Sequence, residues 1–187
     1  MVVYLSIAAV GILFMVLRLS KVKKKNKEQS VMLSSISEMS NTDKMTGCFN
    51  RKAYDEDISE ICMDSQFIYV SMDVNGLKII NDRQGHAAGD ELICVAASCM
   101  KCRFDRYGKV YRMGGDEFLI LANETSEEKA AILIQKVQEK LKEKSKEKIP
   151  LSLAMGSYTI NDGPFSIEEA ISEADRKMYE NKKAARK

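Results

Sequence analysis

The 187-residue sequence predicts an α/β fold, a sheet flanked by helices and preceded by one transmembrane helix. Three observations carry this. Residues 2–17 contain no charged side chain. Beyond residue 50, β-branched and aromatic runs alternate with stretches of helical period. Two of those runs are joined by Gly114-Gly115-Asp116-Glu117, the composition of a hairpin turn.

The apolar run continues past Arg18 to Leu19. A helix of about 17–25 apolar residues crosses a bilayer core, so residues 1–19 read as a transmembrane anchor. No base precedes the run and lysines follow it directly, which favours an uncleaved anchor over a signal peptide. Arg18, Lys21, Lys23, Lys24, Lys25 and Lys27 face only Glu28 within residues 18–28. Basic flanks stay in the cytoplasm, so the reading is a single-pass protein of the cell membrane, its C-terminal domain cytoplasmic and no sensor outside. The cluster also suits anionic headgroups. Residues 20–42 read as a basic juxtamembrane segment and helical linker. The stripe Val31, Met32, Ile36 and Met39 fits a short pairing helix or a solvated stalk equally well.

Residues 43–187 read as the globular domain. A helix is expected over about 50–62. Phe67 to Met72 is a buried strand by its β-branched and aromatic content, ending at Asp73. A short helix follows from about Gly76 to Asp82, and Gly85-His86 turns the chain. The next helix, about Gly89 to Cys102, carries Leu92, Ile93, Ala96, Cys99 and Met100 at helical spacing. Strands are expected at 109–113 and 118–122. Thr125-x-x-Glu128 reads as a capping box opening a helix with Ile134, Val137 and Leu141 inward. A strand over Leu151 to Ile160 follows Pro150. Ser166-x-x-Glu169 caps a last helix with Ile167, Ala170, Ile171, Ala174 and Met178 on one stripe.

Charge and cysteine usage exclude two classes. Of 29 bases and 27 acids, six bases and one acid fall in residues 18–28, leaving 23 against 26. The domain is therefore mildly acidic, which argues against a nucleic-acid partner. Five cysteines, odd in number and irregularly spaced, do not make a disulfide framework. Cys99-x-x-Cys102 lacks a second ligand pair, and His86 is distant, so these read as reduced cysteines on a helix.

The acids carry the chemistry. Asp73 ends a strand, and Asp116 and Glu117 sit in the expected turn. If strand and hairpin are neighbours, three carboxylates converge and call for a hard cation, Mg²⁺ (or Mn²⁺), with phosphate oxygens completing its shell. Gly114 and Gly115 remove side chains where phosphates would approach. A Gly-Gly-Asp turn alone is ordinary; its company is what matters.

That company is five ordered motifs. Asp43-Lys44-Met45-Thr46-Gly47-Cys48-Phe49-Asn50-Arg51 is followed by Asp73-Val74-Asn75-Gly76-Leu77-Lys78-Ile79-Ile80-Asn81-Asp82. Next come Gly85-His86-x-x-Gly89-Asp90 and Arg112-Met113-Gly114-Gly115-Asp116-Glu117-Phe118. Ala174-Asp175 with Met178-Tyr179-x-x-Lys182 closes the set. Together they resemble the GGDEF diguanylate cyclases over about residues 43–187. The resemblance implies a central, mixed and mostly antiparallel sheet, like a nucleotidyl cyclase or polymerase palm. It implies condensation of two GTP into cyclic di-GMP and pyrophosphate by a homodimer, each domain holding one GTP.

Roles follow from the same resemblance. Asp73, the Val74 carbonyl, Asp116 and Glu117 correspond to the metal ligands, and one of Asp116 and Glu117 helps deprotonate the attacking hydroxyl. Asn81 and Asp90 correspond to guanine readers; a carboxylate accepts from guanine N1–H and N2–H₂, a donor pair adenine lacks. Lys182 and Arg186 correspond to a γ-phosphate clamp, and Lys78 supports the phosphates or transition state. Gly114 and Gly115 line the phosphates. His86 fixes a turn, and Asp43, Asn50 and Arg51 form a structural network. Asn75 stands where the family has an acid that is not a ligand, and Gln84 where an aromatic is common. Asp105 and Gly108 occupy the positions of the family's product-binding Arg-x-x-Asp, so feedback through that site is expected to be absent. The rival readings are a catalytically inactive GTP-binding regulatory module, a cyclase of mixed product, and a tethered interaction domain.

Overall fold

Phe67–Val74 (β2) is buried along its whole length, as a strand covered on both faces must be. In the computed structural model, residues 15, 18–27, 41–61, 67–123, 125–145, 151–160 and 166–184 are described. The chain divides after Ser40. In the first unit, residues 18–27 are helical and exposed. The anchor read over residues 1–19 and the apolar stripe from Val31 to Met39 fall mostly or wholly outside the described residues. Among the described residues no helix is long and apolar enough to cross a membrane.

The second unit, Asn41–Lys187, starts with β1 (Phe49–Asn50) and α1 (Arg51–Glu60). After β2 come α2 (Leu77–Gln84), α3 (His86–Phe104), β3 (Gly108–Gly114) and β4 (Glu117–Ala122). The chain ends in α4 (Glu127–Ser145), β5 (Leu153–Ile160) and α5 (Ile167–Ala184). The five strands form one sheet in the order β1-β3-β4-β2-β5. Only β1 and β3 pair in parallel; the other three pairings are antiparallel. The mixed, mostly antiparallel sheet expected from the motifs is therefore present.

Strand alternation divides the core in two. Ile68, Val70, Met72 and Val74 face a cluster with Leu92, Ile93, Met100, Phe104, Val137 and Leu141, drawn from α3 and α4. Phe67 and Tyr69 face Ala53, Tyr54, Ala170 and Ala174, drawn from α1 and α5. Each large apolar side chain so buried contributes about 1.5–3 kcal/mol. Tyr111 Oη donates to Asp57 Oδ2 at 2.6 Å, fastening α1 to β3. On β5, Gly156 lies against α5 so closely that an added Cβ would stand 2.1 Å from the Ala174 carbonyl oxygen.

Several boundaries move. α3 begins at His86 rather than near Gly89, because Gly85 alone, at φ 84°, makes the break from α2. α4 is capped by Ser126, whose hydroxyl accepts from the Lys129 amide at 3.3 Å, and not by Thr125. Ser166 caps α5 as expected, accepting from the Glu169 amide at 3.3 Å. Cys94, Cys99 and Cys102 all lie on α3 as free thiols. Burial pushes the Cys99 thiol up, which keeps it protonated and inert.

Candidate active site

The C-terminal end of β2 meets the β3–β4 hairpin. Asp73 pairs in register with Glu117, and the Val74 amide donates to the Asp116 carbonyl at 3.0 Å. Glu117 is thus the first residue of β4 and not part of the turn, because Gly114 pairs with Glu117 and the loop shrinks to Gly115-Asp116. Gly115 has φ 53°, and no non-glycine described residue has positive φ. A two-residue hairpin with positive φ only at its first loop position demands glycine there. The extra residue between Arg112 and Gly114 makes a bulge that re-aims the turn.

Arg112 holds that turn. Its Nη2 and Nε donate to the Gly115 carbonyl at 2.9 and 3.2 Å, and its Nη1 donates to Asp43. Asp43 also accepts from the Thr46 hydroxyl at 2.6 Å and amide at 2.9 Å. Burial raises the Asp43 carboxyl, but Thr46 and Arg112 together outweigh it and hold the group below its ordinary value. Asn50 caps α1 by accepting from the Ala53 amide at 3.0 Å. Arg51 is exposed. The structural role expected for Asp43 and Asn50 is what the geometry gives.

Asp73 is 8% exposed. Its Oδ2 lies 2.7 Å from Lys182 Nζ, while its Oδ1 is buried without a hydrogen-bond partner. Buried polar atoms are nearly always paired, so an orphaned carboxylate oxygen beside two further acids fits a cation ligand. The all-oxygen donor set of Asp73, the Val74 carbonyl, Asp116 and Glu117 suits Mg²⁺ or Mn²⁺. The expected convergence holds for the backbone positions. Among the described residues, however, no group of three His, Cys, Asp or Glu side chains is gathered to hold an ion. Lys182 has taken one oxygen of Asp73 instead.

The remaining candidates separate into two places. Lys78 is exposed in the first turn of α2, and Asn75 is tied to Ser152 by its amide and side chain at 2.9 and 3.2 Å. Asn81 lies on α2 and Asp90 on α3, on either side of the Gly85 elbow. A Cβ on Gly89 would stand 1.9 Å from Asn81 Oδ1, so the glycine makes room for that side chain. Asn81 Oδ1 is also buried without a partner, and Asp90 is exposed. Arg186 lies outside the described residues.

Two positioning residues were not assigned from sequence. Ser71 Oγ donates to Asp175 Oδ1 at 2.5 Å, joining β2 to α5. The signal was available: Ser71 shares a strand face with Asp73, and Asp175 shares a helix face with Lys182 two turns on.

Comparison with known proteins bears on the family and the fold. A sequence profile described as "Diguanylate cyclase, GGDEF domain" matches residues 40–187. "Probable diguanylate cyclase DgcI" of Escherichia coli is 33% identical over 147 residues, covering 77% of this chain and 31% of that protein. The chain spans about a third of the length of the first curated relatives it matches. Among solved structures, the coiled coil and GGDEF domain of DgcB from Caulobacter crescentus, in complex with c-di-GMP, superposes with a TM-score of 0.75. It is 20% identical and covers 89% of this chain and 93% of that one, which speaks to fold alone. A microbial GGDEF domain described with cyclic di-GMP has a TM-score of 0.66 at 27% identity, covering 80% and 94%.

Proposed function

Because this chain belongs to the GGDEF domain family of diguanylate cyclases, we propose that it condenses two GTP into cyclic di-GMP and pyrophosphate. The observation that carries the reading is the pairing of Asp73 with Glu117 beside the Asp116 turn, with Asp73 Oδ1 buried and unpartnered. Asp73, the Val74 carbonyl, Asp116 and Glu117 would hold Mg²⁺ or Mn²⁺, which supplies Lewis-acid polarisation of the phosphoryl oxygens. Asp116 or Glu117 takes the proton of the attacking 3′-hydroxyl. Asp90 and Asn81 read the guanine edge. Gly114 and Gly115 let the phosphates approach the hairpin, Lys78 supports their charge, and Lys182 with Arg186 holds the terminal phosphate.

Each hydroxyl attacks the α-phosphorus of the other nucleotide, so two domains must face each other. A homodimer is therefore part of the proposal, as is anchoring by the N-terminal segment with the domain on the cytoplasmic side of the membrane. Two tethered chains have a raised effective concentration.

The test is the full chain in lipid with GTP and Mg²⁺, products separated by chromatography at several protein densities. A cyclic dinucleotide that rises steeply with density and vanishes in Asp116→Ala supports the proposal. Binding of GTP without product supports a second reading, a regulatory GTP-binding module. The Lys182–Asp73 pair favours that reading, since a neutralised carboxylate attracts a metal less strongly.

A further inference from the structure

We infer that Lys182 has a second role: in the nucleotide-free protein its ammonium is the resident counter-cation of the metal site and competes with the entering divalent ion for Asp73. The inference rests on the metal-site reading above and concerns only how that site is held before metal arrives.

The argument starts from charge. Asp73 and Glu117 are direct cross-strand partners, and like charges placed opposite one another destabilise a sheet. Asp116 joins them through its carbonyl bond to the Val74 amide. A carboxylate 8% exposed carries a large desolvation cost unless a cation meets it. Lys182 does so at 2.7 Å, with its own side chain 23% exposed. It satisfies only Oδ2, so Oδ1 is left as an oxygen with nothing to accept.

The placement of Lys182 is built into α5. Gly156 lets the helix backbone approach β5, an added Cβ meeting the Met178 amide nitrogen at 2.3 Å. The Ser71–Asp175 hydrogen bond then fixes the rotation of the helix. Asp175 and Lys182 lie two turns apart on one face of α5, while Ser71 and Asp73 lie on one face of β2. Docking the first pair presents the second. Ser71 and Asp175 are thus positioning residues that set where Lys182 rests.

A lysine is suited to this. Its compact charge sits on a flexible four-carbon stem, so the head can leave Asp73 without moving the helix. When a divalent ion takes the carboxylate, the ammonium is repelled toward the mouth of the site, where a nucleotide's terminal phosphate would lie. Metal loading and phosphate capture become one exchange.

The experiment uses the full chain in detergent without nucleotide. Mn²⁺ binding is read from the loss of the free-ion paramagnetic resonance signal. Lys182→Met is expected to bind Mn²⁺ about tenfold more tightly than wild type, since an internal competitor with an interaction worth about one order of magnitude is gone. Lys182→Arg keeps the competitor and should stay near wild type. Asp73→Asn should lose the site. Because Lys182→Met leaves Asp73 unpaired, a second readout needs no variant: amine acylation of wild type, followed by mass spectrometry. Reactivity of Lys182 should rise on adding Mn²⁺ while that of Lys183 stays flat. Equal or weaker Mn²⁺ binding in Lys182→Met, with Lys182 reactivity unchanged or reduced by metal, overturns the inference and leaves the metal site standing. No Mn²⁺ binding to any form, with or without a non-hydrolysable GTP analogue, overturns both.

Discussion

Arg112 and Asp43, 69 residues apart, are joined at 3.2 Å, and through Arg112 the start of the domain grips the carbonyl of Gly115 in the β3–β4 turn. Arg112→Ala should therefore cost about 1.5–3 kcal/mol of stability, the range for hydrogen bonds to charged groups. It should also lower turnover, because the turn that carries Asp116 loses its clamp. Urea unfolding and GTP turnover measured on one preparation check both. The pH dependence has a definite sign. The Asp43 carboxyl is held below its ordinary value, so its contribution is present above the unfolded pKa of about 3.9 and is lost as pH falls through the folded value. The stability gap between wild type and Asp43→Asn should close below about pH 4.

Gly156→Ala should destabilise by about 2–3 kcal/mol, as overpacking does when the obstacle is backbone. The new methyl would meet the Ala174 carbonyl and Met178 amide, neither of which can rotate away. Thermal unfolding gives the loss, and Mn²⁺ affinity should change with it because α5 carries Lys182.

Gly89→Ala acts on recognition rather than on stability. Its methyl would stand 1.9 Å from Asn81 Oδ1, and that side chain must swing aside. GTP affinity should fall by about tenfold or more, as when a site loses a buried polar contact, with the unfolding midpoint little changed. Calorimetry with a GTP analogue measures the first and a denaturant melt the second.

Asp90→Asn should weaken GTP binding by at least tenfold while ATP binding stays as weak as before. An amide oxygen replaces one acceptor and its NH₂ opposes the guanine donors. Competition between GTP and ATP analogues reads the ratio. An unchanged ratio would remove Asp90 from the pocket.

Progress curves should show no inhibition by cyclic di-GMP through residues 105–108. Asp105 is exposed just beyond α3, and Gly108 abuts β4, where a Cβ would stand 1.9 Å from the Leu121 carbonyl oxygen. No acid fits there without displacing backbone.

Much of this was legible in the sequence, for identifiable reasons. β2 is a continuous β-branched and aromatic run, and α5 shows its buried stripe through Ala170 and Ala174. The hairpin was legible from its glycines, yet its register was not. Whether Glu117 belongs to the turn or to β4 depends on the bulge after Arg112, which pairing with β2 decides. The capping of α4 slipped by one residue because Thr125 and Ser126 both offer a hydroxyl. The shared faces of Ser71 with Asp73 and of Asp175 with Lys182 were legible, but not that the two faces meet, since nothing local signals that residues 104 and 109 positions apart will touch.

That separation has a consequence in time. A ribosome adds about 5–20 residues per second, so Asp73 and Ser71 are made roughly ten seconds before their partners on α5. During that interval the sheet end carries its acids without the lysine that balances them. The nascent domain therefore waits on its last helix, and a truncated product of translation lacking α5 should be recognised by the cell as unfinished, not as a weak enzyme.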